Sequence, residues 1–252
     1  MKYAVITGTS RGLGASIAAL FLKQGVNVIG ISRNENNELA NLADENNVTY
    51  QHYTCHLANV EKVDKVFSII SDQLVRKQTS CIYFIHNAGT VNPINTAENY
   101  TAEAIDSHVH VNLIAPMIAS SIFLKAVKKC NIPLINVYVT SGAANRSVYG
   151  WSAYSATKAG LNRYARTLAL EQEELNTNSK AIIFDPSIMD TGMQNEIRST
   201  SKEAFQDVEQ FQQYKREDQL RNTNTVAEVL IDILIEPAVI ENGKYYSVKD
   251  IL

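Results

Sequence analysis

The chain has 252 residues, 45% of them hydrophobic and 19% charged, with a formal net charge of −3. That length and balance suit one α/β domain with a sizeable core. The slight acidity gives no electrostatic reason to expect nucleic acid. The start leads from Met1-Lys2 straight into strand-forming residues without the pattern of a signal peptide. No apolar run reaches the roughly 18 to 20 residues of a membrane span. Cys55, Cys81 and Cys130 are scattered and odd in number, so they read as buried, reduced thiols of a cytoplasmic protein. The five histidines show no metal-ligand spacing. His108 and His110 point to different faces of a helical stretch, and His52 and His56 fall on a strand and its end, so no metal centre is expected.

Taken in order, strands are predicted at 3–7, 27–31, 48–54, 81–86, 134–140, 181–184 and 244–248. Most are Val- and Ile-rich runs, as expected of strands covered on both faces. Helices are predicted between them at 13–24, 35–45, 61–76, 102–129, 151–176 and 226–235. This alternation predicts a doubly wound, Rossmann-type α/β fold: a parallel seven-stranded sheet with helices on both faces, formed by residues 1–252 as one domain. Residues 187–224 break the rhythm. The stretch is polar and long for a connection. It reads as short helices forming a substrate lid, or as a surface insertion.

The first strand runs into Thr7-Gly8-Thr9-Ser10-Arg11-Gly12-Leu13-Gly14. Glycines free the backbone to approach a bulky anion, and the following helix aims its unpaired N–H groups at the same place. The G-x-x-x-G-x-G spacing is neither the standard dinucleotide fingerprint nor a phosphate loop, and a tight turn without ligand would read the same way. The second strand ends Ser32-Arg33. A carboxylate there would suit the ribose hydroxyl of NAD. Arg33, with Arg11, instead suits the 2′-phosphate of NADP, unless both arginines are solvated surface residues.

The fourth strand ends Asn87-Ala88-Gly89, where Asn87 could tie neighbouring backbones or touch a ribose. Ser141 follows the fifth strand at the same carboxyl edge. Tyr154 and Lys158 then share one helix face. A phenol has a pKa near 10. A neighbouring ammonium is expected to lower it, so that Tyr154 exchanges a proton with a carbonyl oxygen as hydride reaches the carbon. Chance alone gives about 0.7 Tyr-x-x-x-Lys pairs in this composition. A second pair, Tyr245 and Lys249, falls on a predicted strand and is read as coincidence. Tyr154 and Lys158 gain weight from Ser141 and the upstream glycines.

Together, Thr7-Gly8-x-x-x-Gly12-x-Gly14, Asn87-Ala88-Gly89, Asn112, Ser141 and Tyr154-x-x-x-Lys158 resemble the short-chain dehydrogenase/reductase family over essentially the whole chain. The resemblance implies NADP(H) as cofactor and Tyr154 as general acid/base. It implies that Lys158 holds the nicotinamide ribose, Ser141 orients the carbonyl and Asn112 holds a water in a proton relay with Lys158. It further implies cofactor contacts from Ser10, Leu13, Ser32, Ala88, Ile188 and Thr191, and a homodimer or homotetramer meeting through the two long helices. Ile31-Ser32-Arg33, Asn112 to Met117, Gly150 to Tyr154 and Ser201 to Phe211 are similar to the sepiapterin-reductase-like benzil reductases of bacteria. That likeness implies reduction of one carbonyl of an aromatic 1,2-diketone to an (S)-hydroxyketone.

Three positions depart from the family pattern. His56 stands where an Asp contacts adenine. Ser187 stands where a Gly follows Pro186, which is costly if φ is positive. His86 stands where an Asn is frequent. Tyr149, Trp151, Met189 and Met193, with Val91 and Phe205, could line an aromatic-friendly pocket or serve only as packing. Another small-ketone reductase, sepiapterin reductase included, remains open. A silent nucleotide-binding regulator has no need for the full Ser141, Tyr154, Lys158 and Asn112 set. A serine hydrolase is disfavoured because Ser141 lacks the G-x-S-x-G setting.

Overall fold

The computed structural model describes residues 1–77 and 79–252. Its sheet contains β1 (Lys2–Thr7), β2 (Asn27–Ser32), β3 (Tyr50–Thr54), β4 (Cys81–His86), β5 (Leu134–Val139), β6 (Lys180–Asp185) and β7 (Tyr245–Ser247). All pairings are parallel, in the order β3-β2-β1-β4-β5-β6-β7. The strand order therefore reverses between β1 and β4, which opens a crevice at their carboxyl ends.

Alternating side chains feed two layers. Ala4 and Ile6 of β1, Tyr83 and Ile85 of β4, and Val137 and Val139 of β5 join one core with α1 (Gly12–Lys23) and α9 (Thr223–Leu234). Tyr3, Val5, Ile82, Phe84 and Leu134 face the other way, against α3 (Val60–Arg76) and α5 (Ala115–Cys130). Tyr138 and Ile183 complete that second layer under α6 (Ser152–Glu174).

Sequence punctuation sets several helix starts. Asn36, Asn59, Thr101 and Asn222 cap α2 (Asn37–Glu45), α3, α4 (Ala102–Val109) and α9. Both α1 and α6 begin without a side-chain cap, and both begin at the crevice. The helix predicted at 102–129 is interrupted by a π turn at His110–Ile114. Ala102–Cys130 contains an 18-residue window of mean hydropathy 1.4, so by length and composition alone it passes for a membrane-crossing helix. This corrects the sequence reading. In the fold, its Ala115, Ala119, Phe123 and Val127 pack against the sheet and α3. Cys55 and Cys81 are buried as expected, whereas Cys130, at the end of α5, is exposed.

Residues 187–224 do contain short helices, α7 (Gly192–Arg198) and α8 (Val208–Arg216). β7 is only three residues long before α10 (Val248–Ile251) begins.

Candidate active site

The glycines between β1 and α1 are there for space and backbone angle. Gly8 has φ +82° and Gly12 φ +62°, conformations costly for other residues. A Cβ on Gly14 would collide with the Gly8 carbonyl oxygen. Asn87 takes the first of its two predicted roles: its Nδ2 donates to the Thr7 carbonyl at 3.0 Å. The backbone N–H groups of Asn87 and Ala88 both donate to Thr7 Oγ1 at 3.0 Å. The ends of β1 and β4 are thus tied together beneath the turn.

Two arginines border this cradle. Arg33 is exposed at the end of β2. Arg11 is exposed too, and its guanidinium lies 3.1 Å from where a Gly192 Cβ would stand. Ser32 is buried, its hydroxyl donating to the Asn34 carbonyl at 2.7 Å and lying 3.0 Å from His52 Nε2. His56 is exposed, and its Nδ1 accepts from Ala58 N at 3.3 Å. An uncapped helix start, a glycine cradle and two exposed guanidinium groups fit an anionic dinucleotide.

Across the crevice, Ser141 accepts from Ala143 N at 3.2 Å, which fixes the short turn after β5. Tyr154 and Lys158 are 6% and 4% exposed. Lys158 Nζ donates to the Val139 carbonyl at 2.9 Å and stands 5.8 Å from the centre of the Tyr154 ring. Burial pushes the Tyr154 phenol up to about 12, with Asp185 adding to the rise and a hydrogen bond with Ser141 opposing it. Burial pushes Lys158 down to about 8, against the pull of Asp185. The expectation of a lowered tyrosine pKa is therefore reversed for the chain's own residues. Desolvation outweighs the neighbouring ammonium, which is turned toward a carbonyl. At neutral pH Tyr154 is held as a phenol.

Asn112 is fully engaged by the protein. Its Oδ1 accepts from Thr90 N at 2.8 Å, and its Nδ2 donates to the Thr90 carbonyl at 2.8 Å and lies 3.0 Å from His108 Nε2. The side chain is thus a pin between the π turn and the loop after β4. Gly89 separates it from Lys158. A Cβ there would stand 3.3 Å from Asn112 Oδ1 and 3.6 Å from Lys158 Nζ.

Sequence reasoning missed Asp185. Its Oδ1 accepts from Ser187 N at 2.9 Å, and its Oδ2 accepts from the Tyr245 hydroxyl at 2.8 Å. The departure at Ser187 is explained here. Its φ is +61°. Asp185 holds its N–H, while Arg221 Nη1 donates to its Oγ at 3.0 Å. Arg221 N also donates to the Ile188 carbonyl, and Asp190 N to the Arg221 carbonyl. The loop carrying Ile188 thereby reaches Thr191, whose hydroxyl caps α7. The other departure, His86, is buried away from the crevice. It stacks on Tyr138 at 4.6 Å, and burial pushes it down to about 3.

An aromatic cluster roofs Tyr154. Trp151 stacks on Phe205 at 4.7 Å and meets the rings of Tyr154 and Phe211 edge-on at 5.2 and 5.5 Å. Gly150 permits this, because a Cβ there would collide with the Ala204 carbonyl. Val91 and Met193 join the cluster. Two predicted lining residues do not. Tyr149 is 44% exposed at the rim, and Met189 packs into the core beneath α1 and α9. Phe211 ends the Ser201 to Phe211 segment that carries the family likeness, but sequence reasoning missed it as a lining residue. Among the described residues, no three His, Cys, Asp or Glu side chains group to hold a metal.

A doubly wound sheet with an anion cradle on one side of the crevice and a buried Tyr–Lys pair on the other defines a nicotinamide-dependent oxidoreductase acting on CH–OH and carbonyl groups. Residues 2–202 match the short chain dehydrogenase family, and the chain belongs to it. A benzil reductase ((S)-benzoin forming) of Bacillus cereus is 37% identical over 234 residues, covering 93% of this chain and 94% of that protein. Another protein of that name, from Bacillus subtilis (strain 168), is 34% identical over the full length of both chains. A short chain dehydrogenase/reductase structure from Saccharomyces cerevisiae superposes with TM-score 0.80 at 26% identity, covering 98% of this chain and 96% of that one.

Proposed function

We propose that the protein is an NADPH-dependent carbonyl reductase that converts one carbonyl of an aromatic or hydrophobic 1,2-diketone to an (S)-hydroxyketone. The observation that carries this reading is the position of Tyr154. It is a buried phenol beside Ser141, directly under the Trp151–Phe205 stack. NADPH, when bound, supplies the hydride. Gly8, Gly12 and Gly14 give it close backbone approach, Arg11 and Arg33 hold its 2′-phosphate, and Ile188 and Thr191 border its nicotinamide end. Ser141 and Tyr154 hydrogen-bond the substrate oxygen, and Tyr154 gives its proton as the oxygen becomes negative. Lys158 holds ribose hydroxyls and steadies the phenolate left behind. Trp151 and its neighbours exclude water and accept an aryl ring. The (S) outcome follows the names of the two bacterial relatives.

In this reading residues 187–224 are the substrate lid of one NADP-binding domain. The compartment is the cytoplasm, in keeping with the free Cys55, Cys81 and Cys130. The protein is a homodimer or homotetramer through the outer faces of α5 and α6, where Met117, Leu170 and Leu175 are exposed. The test is NADPH oxidation with benzil, an aliphatic diketone and a simple ketone, followed by chiral analysis of the product. Turnover of benzil to one enantiomer is expected; no oxidation of NADPH with any diketone would refute the reading.

A further inference from the structure

His108 is fully buried on α4, one helical turn before Asn112. Its Nδ1 lies 2.6 Å from the Asn92 carbonyl, which can only accept, so Nδ1 carries the hydrogen. Independently, Thr90 fixes the Asn112 amide from both sides, so the group facing His108 Nε2 at 3.0 Å is an N–H donor. Nε2 must then be the acceptor. Two separate constraints give the same tautomer: neutral, with Nδ1–H. The same Nε2 lies 3.0 Å from Thr157 Oγ1, on the turn of α6 between Tyr154 and Lys158.

We infer that His108 is a positioning residue for the reaction, holding Asn112 and the α6 turn in register only while its imidazole is neutral. The inference rests on the reading of Tyr154 and Lys158 given above. A proton on Nε2 would face the Asn112 N–H, and the ring would turn its new donor to Thr157. The Asn112 pin would then lose one of its anchors, and with it the loop carrying Gly89, which borders Lys158. The titratable groups facing His108 are Lys158 and Tyr154 of α6; the neighbouring Asp106 pairs instead with His110 on the outer side. Burial and the Lys158 charge hold the His108 pKa below its ordinary 6.5, so the neutral form persists at neutral pH.

The experiment compares His108→Phe, which keeps the ring edge against Tyr154, with His108→Gln, whose amide oxygen can accept from Asn112 and does not titrate. His108→Phe is expected to lower kcat by about tenfold to a hundredfold with KM little changed, the scale of a small misplacement of reacting groups. His108→Gln should restore most of kcat and remove the reversible acid limb expected of the wild type below the ordinary imidazole pKa. Nitrogen-15 NMR of the wild-type ring should report the Nδ1–H tautomer at neutral pH. That readout is independent of turnover, so it separates a failure here from a failure of the proposed reaction. Wild-type kcat in His108→Phe, an unchanged acid limb in His108→Gln, or a proton on Nε2 at neutral pH would each overturn the inference. If His108→Phe does not fold, the His108→Gln profile and the tautomer decide the matter.

Discussion

Around Gly8 the site is made of backbone; around Trp151 it is made of side chains. The glycine turn offers φ values and the uncapped start of α1, held by Thr7 and Asn87. The roof is a set of aromatic and aliphatic groups converging from segments far apart in the chain, among them Val91, Trp151, Phe205 and Phe211. The first end is set before any ligand arrives and suits a constant partner. The second can be repacked by substitution without disturbing the sheet, and so suits a variable one. Tyr154 and Lys158 stand between the two, one helical turn apart on α6.

The largest effect is expected where the two ends meet. Tyr154→Phe should lower kcat by about 10² to 10⁴, the usual worth of general acid catalysis, while NADPH titration stays near wild type. Turnover at the wild-type rate would remove Tyr154 from the mechanism. Next, Arg33→Ala probes whether the backbone end also depends on side chains. A charged hydrogen bond is worth roughly 1.5 to 3 kcal/mol, so NADPH should bind about 10- to 150-fold more weakly and NADH almost unchanged. The loss should shrink at high salt, because Arg33 is exposed. Equal weakening of both cofactors would count against a 2′-phosphate contact. A smaller change is expected from Phe205→Ala. It removes the stacked partner of Trp151, worth about 0.5 to 1.5 kcal/mol beyond its burial. KM for a diaryl diketone should move while the NADPH dissociation constant does not. If both move together, the two ends are not separable.

The same division explains what could be read without coordinates. Backbone devices leave local signatures: Gly8, Gly12 and Gly14 at fixed spacing, or Tyr154 and Lys158 on one turn. The parallel, doubly wound sheet followed from alternation of strands and helices. Contacts between distant segments leave none. Tyr245 looked like a coincidence, yet its hydroxyl reaches Asp185, which bears on both Tyr154 and Lys158. Ser187 looked like a departure that would cost stability, and Asp185 and Arg221 hold it at positive φ. Met189 and Tyr149 were placed by residue type alone, and each turned to a different surface. The sign of the Tyr154 shift failed for a related reason. Spacing shows that a lysine is near, but not how dry the site is.

A further effect concerns that dryness and is read on the cofactor-free protein, as stability rather than turnover or binding. Lys158 has a folded pKa of about 8 against an ordinary 10.5. Below the folded value both the folded and the unfolded chain carry the charge, and the folded chain bears the full cost of burying it. Between the two values the folded chain holds fewer protons than the unfolded one, so stability rises with pH through that window. The gain is about 3 kcal/mol when the window has been crossed. Lys158→Met removes the titration and keeps most of the volume, losing the hydrogen bond to the Val139 carbonyl and the charge beside Asp185 and the Tyr154 ring. The difference in melting temperature between wild type and Lys158→Met therefore reads this group in that window, since His108, whose pKa the Lys158 charge also lowers, titrates below it. Wild type should gain on the variant by several degrees as pH rises from 8 toward 10.5, at about 2 to 4 °C per kcal/mol for a chain of this size. A constant gap across that window would mean that Lys158 is well solvated in the free protein. The cation would then be available to pull the Tyr154 pKa down, and the roof over the site would have to stand open.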